Sequence, residues 1–241
     1  MVSLKNLQQD LYALADPAKA KLLQGFFKTG PGEYGAGDEF LGIIVPNQRM
    51  LAKTYRDLPL VDLKPLLNSK LHEERLTGLF ILILQYQRAC KEKAAASQEK
   101  IYNFYLKNVH GVNNWDLVDL SAPNIVGHYL FDKDKTILHE FVEDKNLWKR
   151  RIAIISTFYF IRQNHFRETL LFAEKLLVDR EDLIHKASGW MLREVGKRDF
   201  KTAENFIKKY YRKMPRTMLR YALEKFPQAK RSFYMQKDPE K

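Results

Sequence analysis

The sequence predicts an all-α protein, and three observations carry the prediction. Apolar residues recur at spacings of three and four almost throughout, no stretch alternates apolar and polar residues as a half-buried strand would, and short Pro-containing breaks punctuate the periodic segments. From the N-terminus, Leu4, Leu7, Leu11 and Leu14 form one helical face behind Ser3, a residue type suited to capping. Helical segments then begin near Pro46, Leu60, Glu73, Ser97, Trp115, Lys135, Leu147, Phe166, Asp182, Phe200 and Pro215. Asp57-Leu58-Pro59, Ala122-Pro123 and Met214-Pro215 are the punctuation between them. The stretch from Thr29 to Glu39 is irregular and holds Gly30, Gly32, Gly35 and Gly37. Three of these glycines match GxGxxG, but a helix precedes them and no βαβ unit or acidic ribose ligand follows. The stretch therefore reads as a flexible loop, with Tyr34 at its tip placed to touch a partner.

A weak internal repeat organises the helices. Glu74-Arg75-Leu76, Arg150-Arg151-Ile152 and Lys186-Ala187-Ser188 each lie just inside a long helix with a small-residue and aliphatic middle. Arg75 and Arg151 are 76 positions apart and Arg151 and Ala187 are 36 apart; half of the first interval falls near Trp115, where another helix begins. A period of about 36 to 38 residues with two helices per repeat predicts a curved α-solenoid of HEAT-like repeats, in which one helix of each repeat lines a concave side. Trp115, Arg151 and Trp190 fall at near-equivalent repeat positions, so they are expected to look into one groove. The expected organisation is a single domain over residues 1–241, its last ten or so residues forming a flexible tail.

Composition narrows the function. The formal net charge is +12, and the segment from Lys186 to the end holds sixteen basic against six acidic residues, so ten of those charges sit in the last quarter. A polyanion is the expected partner of such a surface, because Lys and Arg release counterions from phosphates; an acidic protein or lipid surface is the alternative. One cysteine, Cys90, excludes an internal disulfide framework and a Cys-rich zinc site, and suits a small core position in a reducing compartment. The most apolar run, Leu79 to Leu84, is too short to span a bilayer. The first residues show no export signal. The six histidines form no HExxH motif or facing pair at ligand spacing, so neither metal nor cofactor is expected.

Three segments offer chemistry. In Trp115-Asp116-Leu117-Val118-Asp119, an indole and a carboxylate one turn apart share a helix face. Asp116 is the rival carboxylate; its position near the helix start gives it a dipole interaction of roughly 0.3–1 kcal/mol. Leu147-Trp148-Lys149-Arg150-Arg151 places three cations beside an aromatic, suited to phosphate or to ion pairs with Glu143 or Asp144. In Lys186 to Arg193, Trp190 follows Gly189, a residue that costs a helix roughly 1 kcal/mol relative to Ala and so implies close packing or close ligand approach.

Taken together these segments resemble the AlkD-type DNA alkylation-repair glycosylases, a HEAT-like repeat family, over about Leu4 to Phe226. The matching stretches, in the family's order, are Phe40 through Arg49, His72-Glu73-Glu74-Arg75-Leu76, Trp115 through Asp119, Leu147 through Arg151, and Lys186 through Lys197. The resemblance implies hydrolysis of the N-glycosidic bond of cationic N3- and N7-alkylated purines, such as 3-methyladenine and 7-methylguanine, in duplex DNA without base flipping. It further implies that Trp115 and Trp190 flank the lesion's deoxyribose, that Asp119 is the catalytic carboxylate, and that Arg151 holds the adjacent backbone. The sequence departs from the family in two places. Phe26 and Phe27 stand where the family commonly offers a tyrosine, and the glycine-rich loop before Phe40 is longer.

The expected DNA contacts are Arg49, Lys149, Arg150, Arg193, Lys197, Arg198, Arg216 and Arg220. The expectation is a monofunctional, cofactor-free, monomeric enzyme of base-excision repair, cytoplasmic and nucleoid-associated, with no membrane partner. The two rival readings are a non-catalytic HEAT-repeat protein that recognises distorted duplex, and a HEAT scaffold that binds an acidic protein.

Overall fold

The computed structural model describes residues 3–236, and among them every regular element is helical; the one β feature is an isolated bridge between Glu39 and Leu71. The chain divides into two compact units between Ser121 and Ala122.

The first unit runs α1 (Leu4–Ala13), α2 (Pro17–Phe26), α3 (Val45–Thr54), α4 (Leu60–Leu67), α5 (His72–Lys91), α6 (Ala95–Lys107) and α7 (Trp115–Ser121). The Ser3 hydroxyl caps α1 through the Asn6 N–H at 3.2 Å, as its sequence position predicts. Asp16 caps α2 the same way, with Pro17 filling the first turn. The centre is α5, whose residues His72 through Ile83 are all buried. A helix buried on every side is apolar all round except where its polar side chains find partners. From Leu76 to Ile83 this one is apolar apart from Thr77, and α3, α4, α6 and α7 pack around it. Cys90, near its end, is half-buried, and burial pushes its thiol pKa up.

The glycine-rich stretch is tied down rather than loose. Gly35 donates to the Lys28 carbonyl, Glu39 to Lys70 and His72 to Glu39, and the Tyr34 hydroxyl turns back onto the Phe26 carbonyl. Gly42 closes the stretch at φ +84°, where a Cβ would stand 2.1 Å from the Asp16 carbonyl oxygen, so no other residue fits.

The second unit opens with a π turn, Pro123–Gly127, that runs directly into α8 (His128–Leu130). Then follow α9 (Thr136–Val142), α10 (Leu147–Arg162), α11 (Arg167–Lys175), α12 (Asp182–Arg198), α13 (Phe200–Tyr210), α14 (Arg216–Ala222) and α15 (Gln228–Met235). Here α10 is central, buried from Arg151 to Thr157 and again at Phe160 and Ile161, and α9, α11 and α12 pack on it. In turn α12 carries α13 and α14. Part of the stretch expected as a tail is helical: α15 continues to Met235, with Tyr234 buried, and the rest of that expectation falls on residues 237–241, which lie outside the described ones.

Gly189 is explained by packing. A Cβ there would meet the Met218 carbonyl oxygen at 2.4 Å and the Tyr221 Cβ at 2.6 Å, so α12 and α14 touch backbone to backbone. Gly189→Ala is therefore expected to destabilise the fold by about 1–3 kcal/mol through overpacking, despite a propensity gain of up to about 1 kcal/mol. Urea unfolding checks this; a variant as stable as the parent would mean that α14 yields at no cost.

Candidate functional site

The residues singled out from sequence fall in both units. In the first unit, α7 begins where the buried Asn114 side chain accepts the Trp115 N–H at 2.8 Å. The indole stacks on Phe27, with centroids 5.4 Å apart and planes 19° apart, and meets the exposed Phe26 edge-on at 6.0 Å. Trp115 and Asp119 are both half-buried, so neither is enclosed in the core, and they lie one turn apart on α7.

Asp116 has a different role from the one its position suggests. Its carboxylate lies 2.8 Å from His72 Nε2, and His72 is buried. The other ring nitrogen, Nδ1, is 3.4 Å from Asp38, and Asp38 also receives Arg75 at 2.7 Å and Asn114 at 3.1 Å. The expected dipole interaction of Asp116 is thus the smaller part of its contribution: it belongs to a buried group of two carboxylates, an imidazole and a guanidinium. Burial lowers the His72 pKa, but hydrogen bonds to Asp116 and Asp38 outweigh it and leave the value raised. Burial likewise raises the Asp38 carboxyl, while the hydrogen bond from His72 and the Arg75 charge bring it below the ordinary range. The His72 ring also stacks on Phe40 at 4.7 Å and lies 4.9 Å from Phe27, which joins the charged group to the aromatic column under Trp115. Asp116 borders an otherwise mainly apolar pocket of about 380 Å³ walled by Leu22, Phe26, Phe40 and Ile43.

In the second unit, Trp190 is half-buried on α12 and packs against Phe158 at 5.5 Å. Its indole N–H donates to Glu194 at 3.1 Å. Arg151 is buried, and its guanidinium donates to the Leu183 carbonyl, tying α10 to the start of α12.

The expected DNA-contact residues separate into two kinds. Several are committed within the protein. Arg150 pairs with Asp179 at 2.6 Å and reaches the Asp144 and Lys145 carbonyls; Lys149 pairs with Asp144 at 2.8 Å; Arg193 pairs with Glu224; and Lys197 lies 2.7 Å from Glu194. Others stand outward. Arg49 is exposed over the Phe80 ring, Arg198 is exposed at the end of α12, and Arg216 and Arg220 are exposed with light contacts to the Met235 carbonyl and Thr217. Among the described residues, no group of three His, Cys, Asp or Glu side chains could hold a metal ion, and no helix is long and apolar enough to cross a membrane.

Sequence reasoning passed over His72, Asp38, Asn114 and Glu194. The run His72-Glu73-Glu74-Arg75 entered only through the repeat and the family resemblance, with no role for its side chains, yet all four are buried, each with its own partners. Glu73 accepts the Leu41, Gly42 and Ile43 N–H groups, and Glu74 accepts Tyr12 and Gln8. The available signal was the spacing of Trp190 and Glu194, which repeats that of Trp115 and Asp119.

An all-α chain that leaves indoles and carboxylates at one-turn spacing half-exposed, with its positive charge gathered in the last quarter, has the features of a protein that meets a polyanion. The chain belongs to the family of DNA alkylation repair enzymes, whose family model matches residues 7–226. No curated protein matches it. A solved structure, of a predicted DNA alkylation repair enzyme from Enterococcus faecalis, shares the fold at a TM-score of 0.69 and 18% identity, covering 89% of this chain and 97% of that one.

Proposed function

We propose that this protein is a monofunctional glycosylase that hydrolyses the N-glycosidic bond of N3- and N7-alkylated purines in duplex DNA. The observation that carries the reading is the placement of Trp115 and Asp119 one turn apart on α7, both partly exposed, in a chain of the DNA alkylation repair family. An alkylated purine of this kind already bears a positive charge, so the bond electrons leave with a base that becomes neutral and needs no protonation. What requires stabilising is the sugar, which becomes oxocarbenium-like as the bond to C1′ stretches. The Asp119 carboxylate supplies the opposing charge, orients the water that adds to C1′ and takes the proton that this water loses. The Trp115 indole face adds an attraction to the sugar that grows as positive charge develops. Trp190 and Arg151, in the second unit, are assigned the sugar and phosphate contacts that the family resemblance implies. The assigned partner is lesion-bearing double-stranded DNA, met by a monomer without cofactor in the nucleoid.

Chromatography of bases freed from methylated duplex DNA tests the proposal. Release of 3-methyladenine or 7-methylguanine supports it. Tight, salt-dependent binding without release favours a non-catalytic reader of distorted duplex, and no DNA binding favours a protein scaffold. Phosphate contacts are read separately. Arg198→Ala is expected to flatten the salt dependence of duplex binding by about 0.9 in log–log slope, one contact's worth. Arg193→Ala is expected to change it less, because Arg193 is held by Glu224 and only 18% of its side chain is exposed. Equal slopes in Arg198→Ala and the parent would remove Arg198 from the interface.

A further inference from the structure

One oxygen of Glu194 gathers three groups. Its Oε1 accepts the Trp190 indole N–H at 3.1 Å, lies 2.7 Å from Lys197 Nζ and is 3.5 Å from Arg193 Nε. Only 12% of the Glu194 side chain is exposed, whereas 45% of Lys197 is. Residues 190, 193, 194 and 197 follow the three-and-four spacing of one face of α12, so the cluster is fixed by the helix itself.

We propose that Glu194 is a positioning residue of the DNA interface, which orients the Trp190 indole and withholds Lys197 from phosphate until DNA is bound. A carboxylate in this place opposes a polyanion and would be a liability on a DNA-facing helix unless it did something for its neighbours. The indole N–H gives it that role. A half-exposed tryptophan on a helix has several rotamers open to it, and a hydrogen bond to a carboxylate one turn on selects among them. The same charge holds Lys197 in an ion pair, so this lysine must exchange a carboxylate for a phosphate on binding. The net gain is then smaller than for an unpaired cation, and duplex lacking a lesion is held less tightly. The orienting part of this inference rests on the assignment of Trp190 to the lesion's sugar; the withholding part rests on DNA binding alone.

Two variants of the full chain separate the parts. Glu194→Gln keeps an oxygen for the indole N–H and removes the charge, whereas Glu194→Ala removes both. Both are expected to bind undamaged duplex more tightly, with a log–log salt slope steeper by roughly 0.9, one contact's worth for Lys197, while Arg193 stays paired with Glu224. Glu140→Gln, the same change of charge at an exposed site on α9, controls for net charge and is expected to leave the slope alone. The Trp190 indole N–H resonance, assigned with Trp190→Phe, is expected to hold its downfield position in Glu194→Gln and to move in Glu194→Ala. Single-turnover release of 7-methylguanine is expected within about threefold of the parent in Glu194→Gln and about tenfold slower in Glu194→Ala. Unchanged slopes in both variants would overturn the withholding of Lys197. An indole resonance that stays put in Glu194→Ala, or equal release by the two variants, would overturn the positioning of Trp190. A parent protein that frees no base would instead remove the glycosylase reading, while slope and resonance still decide the role of Glu194.

Discussion

Asp119→Asn is expected to slow single-turnover release of 7-methylguanine by about a hundredfold, with folding and duplex affinity nearly unchanged. A preorganised charge aimed at developing opposite charge is typically worth about 3 kcal/mol of barrier, which gives that factor. The amide keeps the shape of the carboxylate and loses the charge. Since a purine cation departs readily, the loss rests on the sugar alone and sets an upper range for the effect. Asp119 is half-buried on a short helix, and asparagine keeps one of its two oxygens as an acceptor. Thermal melts run beside the kinetics separate chemistry from stability. Full activity in Asp119→Asn would leave the carboxylate mechanism without support, and a rate lost only in Asp116→Asn, at unchanged stability, would move the assignment to Asp116.

The two carboxylates also mark where the sequence was legible and where it was not. Expected helix starts at Leu60, Trp115, Leu147, Asp182 and Phe200 coincide with α4, α7, α10, α12 and α13. Four of those starts are encoded locally, by Pro at Pro59, Asn at Asn114 and Asn146, and Asp at Asp199. Ala122-Pro123, read as a break, does mark one: α7 ends at Ser121 and the two units divide there. What the break did not reveal is that the chain resumes at once as a π turn, Pro being tolerated in a first turn and Gly127 lying where a Cβ would be 2.2 Å from the Ser156 carbonyl. The His72 group was out of reach altogether. Its members Asp38, His72 and Asn114 are separated by 34 and 42 positions, and no periodicity links them. Helical periodicity finds faces; it does not find which buried charge answers which. For the same reason Arg150 looked like a phosphate contact, while its partner Asp179 lies 29 residues on. The Trp115–Asp119 spacing was visible because both residues sit on one turn of one helix.

Replacing His72 is expected to cost more stability than any surface change, and the cost is expected to depend on pH. Protonated, His72 completes a group of two carboxylates and two cations whose charges cancel; neutral, it leaves Asp38 and Asp116 facing Arg75 alone. Breaking a buried ionic group by removing one member typically costs about 3–5 kcal/mol. That figure is an upper range here, because 18% of the Asp116 side chain is exposed. The sign of the pH dependence follows from the raised pKa. The folded protein holds the proton more tightly than the unfolded chain, whose ordinary value is 6.5. The stabilisation is therefore fully present below about pH 6.5 and fades as pH rises through the folded value. The gap in melting temperature between the parent and His72→Gln is thus expected to be widest at pH 6 and to narrow towards pH 9. Asp116→Asn keeps an acceptor for His72 but takes away a charge, so it is expected to lower the His72 pKa and to cost about 1.5–3 kcal/mol at pH 6, the range for a hydrogen bond to a charged group. NMR titration of the His72 ring measures the first effect, and urea unfolding at two pH values measures the second. A His72→Gln penalty that is constant from pH 6 to 9 would mean that His72 is neutral in the fold. An Asp116→Asn cost below about 1 kcal/mol would return Asp116 to a helix-end carboxylate and nothing more.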